Sequence, residues 1–125
     1  MEHCADKTRQ AFADQVRSVV EQQLAHGVEI HAEPGHCYGF YLRGTGWPSR
    51  YNGFAVPEGG HPCLVVSRAA KLSLPEGRYE VHPNIGPDGA NHANLFFMEE
   101  SVGSAPPSPA FLDRLVAIIR SATDK

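Results

Sequence analysis

Apolar residues recur with a helical period at both ends of the chain and in short alternating runs between them. Phe12, Val16, Val19, Val20 and Leu24 fall on one stripe, with Ala5 and Ala13 at its margins, so the spacing predicts a helix over 6–26. Asp6 is placed to cap its start and Gly27 to stop it. Near the other end, Phe111, Leu112, Leu115, Ile118 and Ile119 form a second stripe. Ser108 precedes it as an N-cap and Pro109 takes the first helical position.

Between the stripes the period drops to two, which predicts strands over 28–32, 37–43, 54–56, 63–67, 78–82 and 93–99. Residues 68–77 fit neither period cleanly. All 12 glycines and 10 prolines lie between Gly27 and Pro109, which confines the chain breakers to the middle. Helix, mainly antiparallel sheet of five to six strands, then helix predicts an α+β two-layer sandwich. Both terminal helices pack on one sheet face, and the single globular domain spans 1–125. Tyr79 and Val81 are expected to point inward, while Glu29, His31, Arg78, Glu80 and His82 give the opposite face a mostly polar character.

Composition narrows the function classes. The net charge of −3 is spread along the chain, which argues against nucleic acid as a partner. No apolar run approaches the ~20 residues that span a bilayer. The first residues lack the apolar core of a secretory signal. Three cysteines, Cys4, Cys37 and Cys63, are an odd number; they read as free thiols in a reducing cytoplasm, with a Cys37–Cys63 disulfide as the alternative.

Seven histidines raise the question of metal. His31-Ala32-Glu33 with Pro62-Cys63 downstream resembles part of the zinc-deaminase pattern. Val66 stands where that pattern has its second cysteine, and Pro34-Gly35 follows the glutamate where a helix should begin. A looser site arises if the strands form a simple meander, because the first, third and fifth turns then share one end of the sheet. His36, His61, Cys63 and His92 become candidate zinc ligands there, with His82 and Asp88 nearby in sequence. No pair has the close spacing of a structural zinc site.

The second and fourth connections carry a different chemistry. Arg43, Trp47, Arg50, Tyr51 and Arg68 gather the residue types that dominate protein-binding hot spots. The loop over 44–53 is long for a link between neighbouring strands. No G-x-S-x-G elbow or phosphate-binding glycine loop occurs, and Glu99-Glu100 reads as a solvated acidic pair. The sequence thus favours a non-enzymatic domain that binds another protein without a cofactor: a small inhibitor, immunity-type protein, chaperone or accessory subunit. The alternative is a zinc-dependent hydrolase or divergent deaminase built on the His/Cys-bearing turns.

Overall fold

The computed structural model describes residues 5–24, 30–35, 37–44, 53–67, 72–85 and 91–123. Helix α1 covers Lys7–Gln23. The Asp6 carboxylate accepts a hydrogen bond from the Arg9 backbone N–H at 3.1 Å and so caps a free donor of the first turn. Phe12, Ala13, Val16 and Val20 are buried along one side. Gly27, expected to stop the helix, lies outside the described residues. Helix α2 covers Pro109–Thr123, with Phe111, Leu115, Ile118 and Ile119 almost wholly withdrawn from solvent. No helix among the described residues is long and apolar enough to cross a membrane.

Among the described residues six strands form one antiparallel sheet: β1 (Ile30–Pro34), β2 (Gly39–Gly44), β3 (Gly53–Ala55), β4 (Cys63–Ser67), β5 (Tyr79–Ile85) and β6 (Asn91–Phe97). Ile30, Ala32, Phe40, Leu42, Phe54, Leu64, Val66, Ala93, Leu95 and Phe97 turn one face toward the two helices, and with them form the core. The α+β sandwich with both terminal helices against the sheet is therefore observed. Phe111 is the hub between the layers. Its ring centroid lies 6.0 Å from that of Phe12, 6.1 Å from Phe54 and 5.1 Å from Phe97, separations at which aromatic pairs attract beyond simple burial.

The strand order is β1-β2-β3-β4-β6-β5, not a simple meander. Strand β4 pairs with β6, and β5 lies beyond β6 at the edge. Since β4 and β5 are both antiparallel to β6, they run parallel to each other, and the connection between them must return along the length of the sheet. Its described part lies against α2: Ser121 Oγ accepts from the Ser73 N–H at 3.1 Å, and Arg114 Nε donates to the Glu76 carbonyl at 3.0 Å. Side chains of α2, rather than a strand ladder, hold this segment. Its lack of a clear period has that physical cause.

The edge position of β5 also corrects the expectation for Val81. Tyr79 packs against the core and donates its O–H to the Pro75 carbonyl at 2.9 Å. Val81 shares its face yet remains 62% exposed, because an alternating edge strand buries a residue only where a second layer reaches it.

Two corners are tied by polar groups. Tyr38 adopts φ 68°, a left-handed conformation rare for a bulky residue. Several contacts hold it there. Its N–H donates to Gln10 Oε1 at 2.9 Å, its hydroxyl accepts from the Asp6 N–H at 2.9 Å, and Arg9 stacks 3.9 Å above its ring. At the other corner Glu100 is buried rather than solvated, contrary to the sequence reading. Its carboxylate accepts from the Ser108 N–H at 3.0 Å and hydroxyl at 2.7 Å. Ser108 Oγ in turn accepts from the Phe111 N–H at 3.2 Å. Glu99 instead pairs with Arg114 at 3.0 Å.

Ser108→Ala should therefore do more than remove a helix cap. It strips one carboxylate oxygen of its hydrogen bond inside the protein, and we expect a loss of about 2–4 kcal/mol. Ser108→Thr should restore most of it; chemical denaturation of the two variants checks the ordering.

Candidate functional site

Strand β4 runs from a Cys63 end of the sheet to a Ser67 end. Residues 37 and 38, the connection 56–62 and the end of β6 lie at the Cys63 end. The outer ends of β1, β2, β3 and β6, marked by Ile30, Gly44, Gly53 and His92, lie toward the Ser67 end. The sequence-predicted metal ligands divide between these ends. His61 and Cys63 stand at the first. His92 pairs with Ser67 at the second, four positions along the strand from Phe96 opposite Cys63, or roughly 13 Å at strand rise. The reason is the β4–β6 pairing, which sends the fifth turn to the end opposite the first and third. His36 lies outside the described residues. No group of three or more His, Cys, Asp or Glu side chains positioned to hold a metal occurs among the described residues.

The partial deaminase pattern is not brought together either. His31 and Glu33 sit on strand β1 rather than at a helix start, three strands away from Cys63, or roughly 14 Å. Glu33 faces Arg43 instead. His61 is held at Nδ1, 2.8 Å from the Glu100 carbonyl.

The cysteines depart from the expected set of free thiols. Cys37 is disulfide-bonded, while Cys63 is free and buried. The Cys37–Cys63 pairing is thus not formed, and the partner of Cys37 lies outside the described residues. Burial pushes the Cys63 thiol up to about 12, because a thiolate there would lose its hydration. It remains protonated and inert at neutral pH. Native protein at pH 8 should leave Cys63 unlabelled by iodoacetamide until denaturant is added. Peptide mapping without reductant should recover Cys37 in a disulfide-linked peptide. Labelling of Cys63 in the native state would contradict its burial.

The face of the sheet opposite the helices carries the candidate interface. Successive registers place Glu33, Tyr41, Gly53, Val65, Asn94 and His82 across it in one row. Gly39, Ala55, Cys63, Phe96 and Glu80 form the next. The polar side chains expected there occupy the edges: His31, Glu80 and His82 are exposed. The middle is built instead from small and apolar residues, with Tyr41, Ala55, Val65 and Phe96 all half-buried. Glu29 lies outside the described residues.

Gly39 and Gly53 give this face its shape. A Cβ on Gly39 would meet the Phe54 carbonyl oxygen at 2.3 Å, and one on Gly53 the Phe40 carbonyl oxygen at 2.2 Å. Glycine is thus required by the close approach of β2 and β3. The absent side chains leave a cavity of about 140 Å³ between Tyr41 and Val65.

Arg43 packs on Tyr41, which lines this trough. Its guanidinium lies 4.7 Å from the Tyr41 ring centroid, a cation–π contact. Its Nε is 3.5 Å from Glu33 Oε2. Its Nη1 is buried and has no hydrogen-bond partner among the described residues, an arrangement that native proteins keep rare. Of the five predicted binding residues, Arg43 alone is described; Trp47, Arg50, Tyr51 and Arg68 lie outside the described residues. The strand ends that flank them in sequence, Gly44, Gly53 and Ser67, belong to the Ser67 side of the sheet.

A second hollow, about 180 Å³, lies on the same face toward the Cys63 end. Glu58, His61, Glu80, His82, Phe96 and Met98 line it. Sequence reasoning missed both hollows. The signal was present in the alternation Asn94, Phe96, Met98 and in Val65, but apolar residues occur on both faces of β4 and β6, so periodicity alone did not separate the covered face from the open one.

Comparison with known proteins matches no protein-family model, no curated protein and no solved structure.

Proposed function

We propose that this is a non-enzymatic protein-binding domain, of the inhibitor, immunity or accessory type, which docks a partner on the sheet face opposite the helices. The observation that carries the reading is Arg43. A guanidinium that is a third exposed and stacked on Tyr41 at the open sheet face suits the planar recognition of a partner's carboxylate or carbonyl. Tyr and Arg are also the residue types that concentrate binding energy at interfaces. Trp47, Arg50, Tyr51 and Arg68 join the reading through their place in the sequence, in the connections that leave β2 and β4.

The disulfide at Cys37 supports a site of action in an oxidising compartment, since such bonds persist there. The test of the function is capture of a partner from the native host on immobilised protein, with Arg43→Ala as the comparison. A captured protein that binds wild type and the variant equally would remove Arg43 from the interface.

A further inference from the structure

We infer that the hollow at the Cys63 end takes a basic side chain, arginine or lysine, from the bound partner. This rests on the reading of the outer sheet face as a protein interface and specifies what the partner presents there. The floor is apolar, made by Phe96 and Met98, and one carboxylate stands on each wall: Glu58 on the 57–60 turn and Glu80 on β5. Among the described residues no lysine or arginine lines the hollow. Glu58 makes no ion pair among the described residues. Glu80 Oε1 lies 3.0 Å from His82 Nε2, and the His82 ring stands edge-on to Phe96 with centroids 5.3 Å apart. A long side chain with an apolar stem and a cationic head matches this lining. Its stem covers Phe96 and Met98, its head reaches the carboxylates, and the aromatic ring adds a cation–π attraction.

The walls are built to stay in place. Gly59 and Gly60 take φ of 112° and 94°, values that suit glycine and let the turn fold back over the sheet. The turn is then fastened to the end of β6 and the residues after it. Val102 N–H donates to the Gly60 carbonyl at 2.7 Å, Phe97 N–H to the Pro62 carbonyl at 3.0 Å, and His61 Nδ1 lies 2.8 Å from the Glu100 carbonyl. A preformed wall spares the ordering cost of binding.

Position identifies the occupant as part of a protein. Arg43 on β2 and Phe96 on β6 lie on one face, three strand spacings across and four residues apart along the strand direction, or roughly 20 Å. A standard interface, about 800 Å² per partner, covers both. The open face then presents a cation toward one end and two carboxylates toward the other. A partner with the complementary pair, an acidic group for Arg43 and a basic one for the hollow, docks in one orientation and not the reverse.

The test is a titration of ¹⁵N-labelled protein with three capped tripeptides, alanine-X-alanine with X as arginine, lysine or citrulline. Arginine and lysine peptides should give saturable shifts confined to the amides of 58–61, 80–82 and 96–98. Citrulline, which keeps the shape of arginine without its charge, should bind about fivefold more weakly or worse, as should arginine peptide against the Glu58→Gln/Glu80→Gln variant. Both glutamates are exposed, so the variant should keep the wild-type spectrum elsewhere; if it does not fold, Glu58→Gln alone carries the comparison. Equal binding of citrulline, indifference to the glutamate changes, or no shifts at all would overturn the inference. Arg43→Ala should leave peptide binding intact. Loss of the groove and loss of the Arg43 interface are thereby separate results.

Discussion

A chain that ends at Pro109 should lose its cooperative unfolding transition and bind hydrophobic dyes. Phe111, Leu115, Ile118 and Ile119 are each no more than 1% exposed in the folded protein. Burial of side chains of this size contributes roughly 1.5–3 kcal/mol each, against total stabilities of about 5–15 kcal/mol for a domain. Removing Phe111 also withdraws the ring that Phe12, Phe54 and Phe97 surround, so α1 and the sheet each lose a packing partner. Circular dichroism against temperature, with dye binding beside it, checks this. A truncated chain that melts cooperatively near the wild-type temperature would mean that α1 and the sheet form a core without α2.

The two helices were legible because their signals are local. A stripe at period 3.6, a cap residue before it and no internal breaker are all written within twenty residues. Strand β4 was read with its observed limits, 63–67, because turn residues bound a short apolar run. Strand order was not legible. A period of two says which residues share a face, not which strand lies alongside, and the β4–β6 pairing joins residues remote in sequence. That pairing decided the fate of the proposed metal site: it put His92 at one end and His61 with Cys63 at the other. Glu100 illustrates a second limit. Its burial depends on the Ser108 hydroxyl eight residues on, and nothing in a pair of adjacent acids announces which one will turn inward. Arg43 was singled out on residue type alone; its stacking on Tyr41 follows from both being two residues apart on one strand.

Trp47→Ala and Arg43→Ala should each weaken capture of the partner by on the order of 1–4 kcal/mol, and each should cost less stability than Phe40→Ala. Phe40 is 2% exposed and stacks on Phe54 with ring centroids 5.3 Å apart. Its truncation leaves a cavity in the core, for which about 3–5 kcal/mol is expected. Arg43 is a third exposed, with its side chain on the opposite face of the same strand. Removing it also removes a buried nitrogen that has no hydrogen-bond partner among the described residues, so the unbound protein should lose little. The contrast is sharpest for Trp47, in the 44–53 connection that begins one residue after Arg43. Denaturation midpoints and partner affinities, measured on the same three variants, separate two roles for that ring. If Trp47→Ala destabilises the fold as much as Phe40→Ala, the ring closes the core and the interface loses one of its two anchors. If it spares stability and affinity alike, the connection is slack and Arg43 acts without it. If it lowers affinity and spares stability, as we expect, the connection is held for the partner, and the residue types noted in the sequence serve the same surface that the sheet presents.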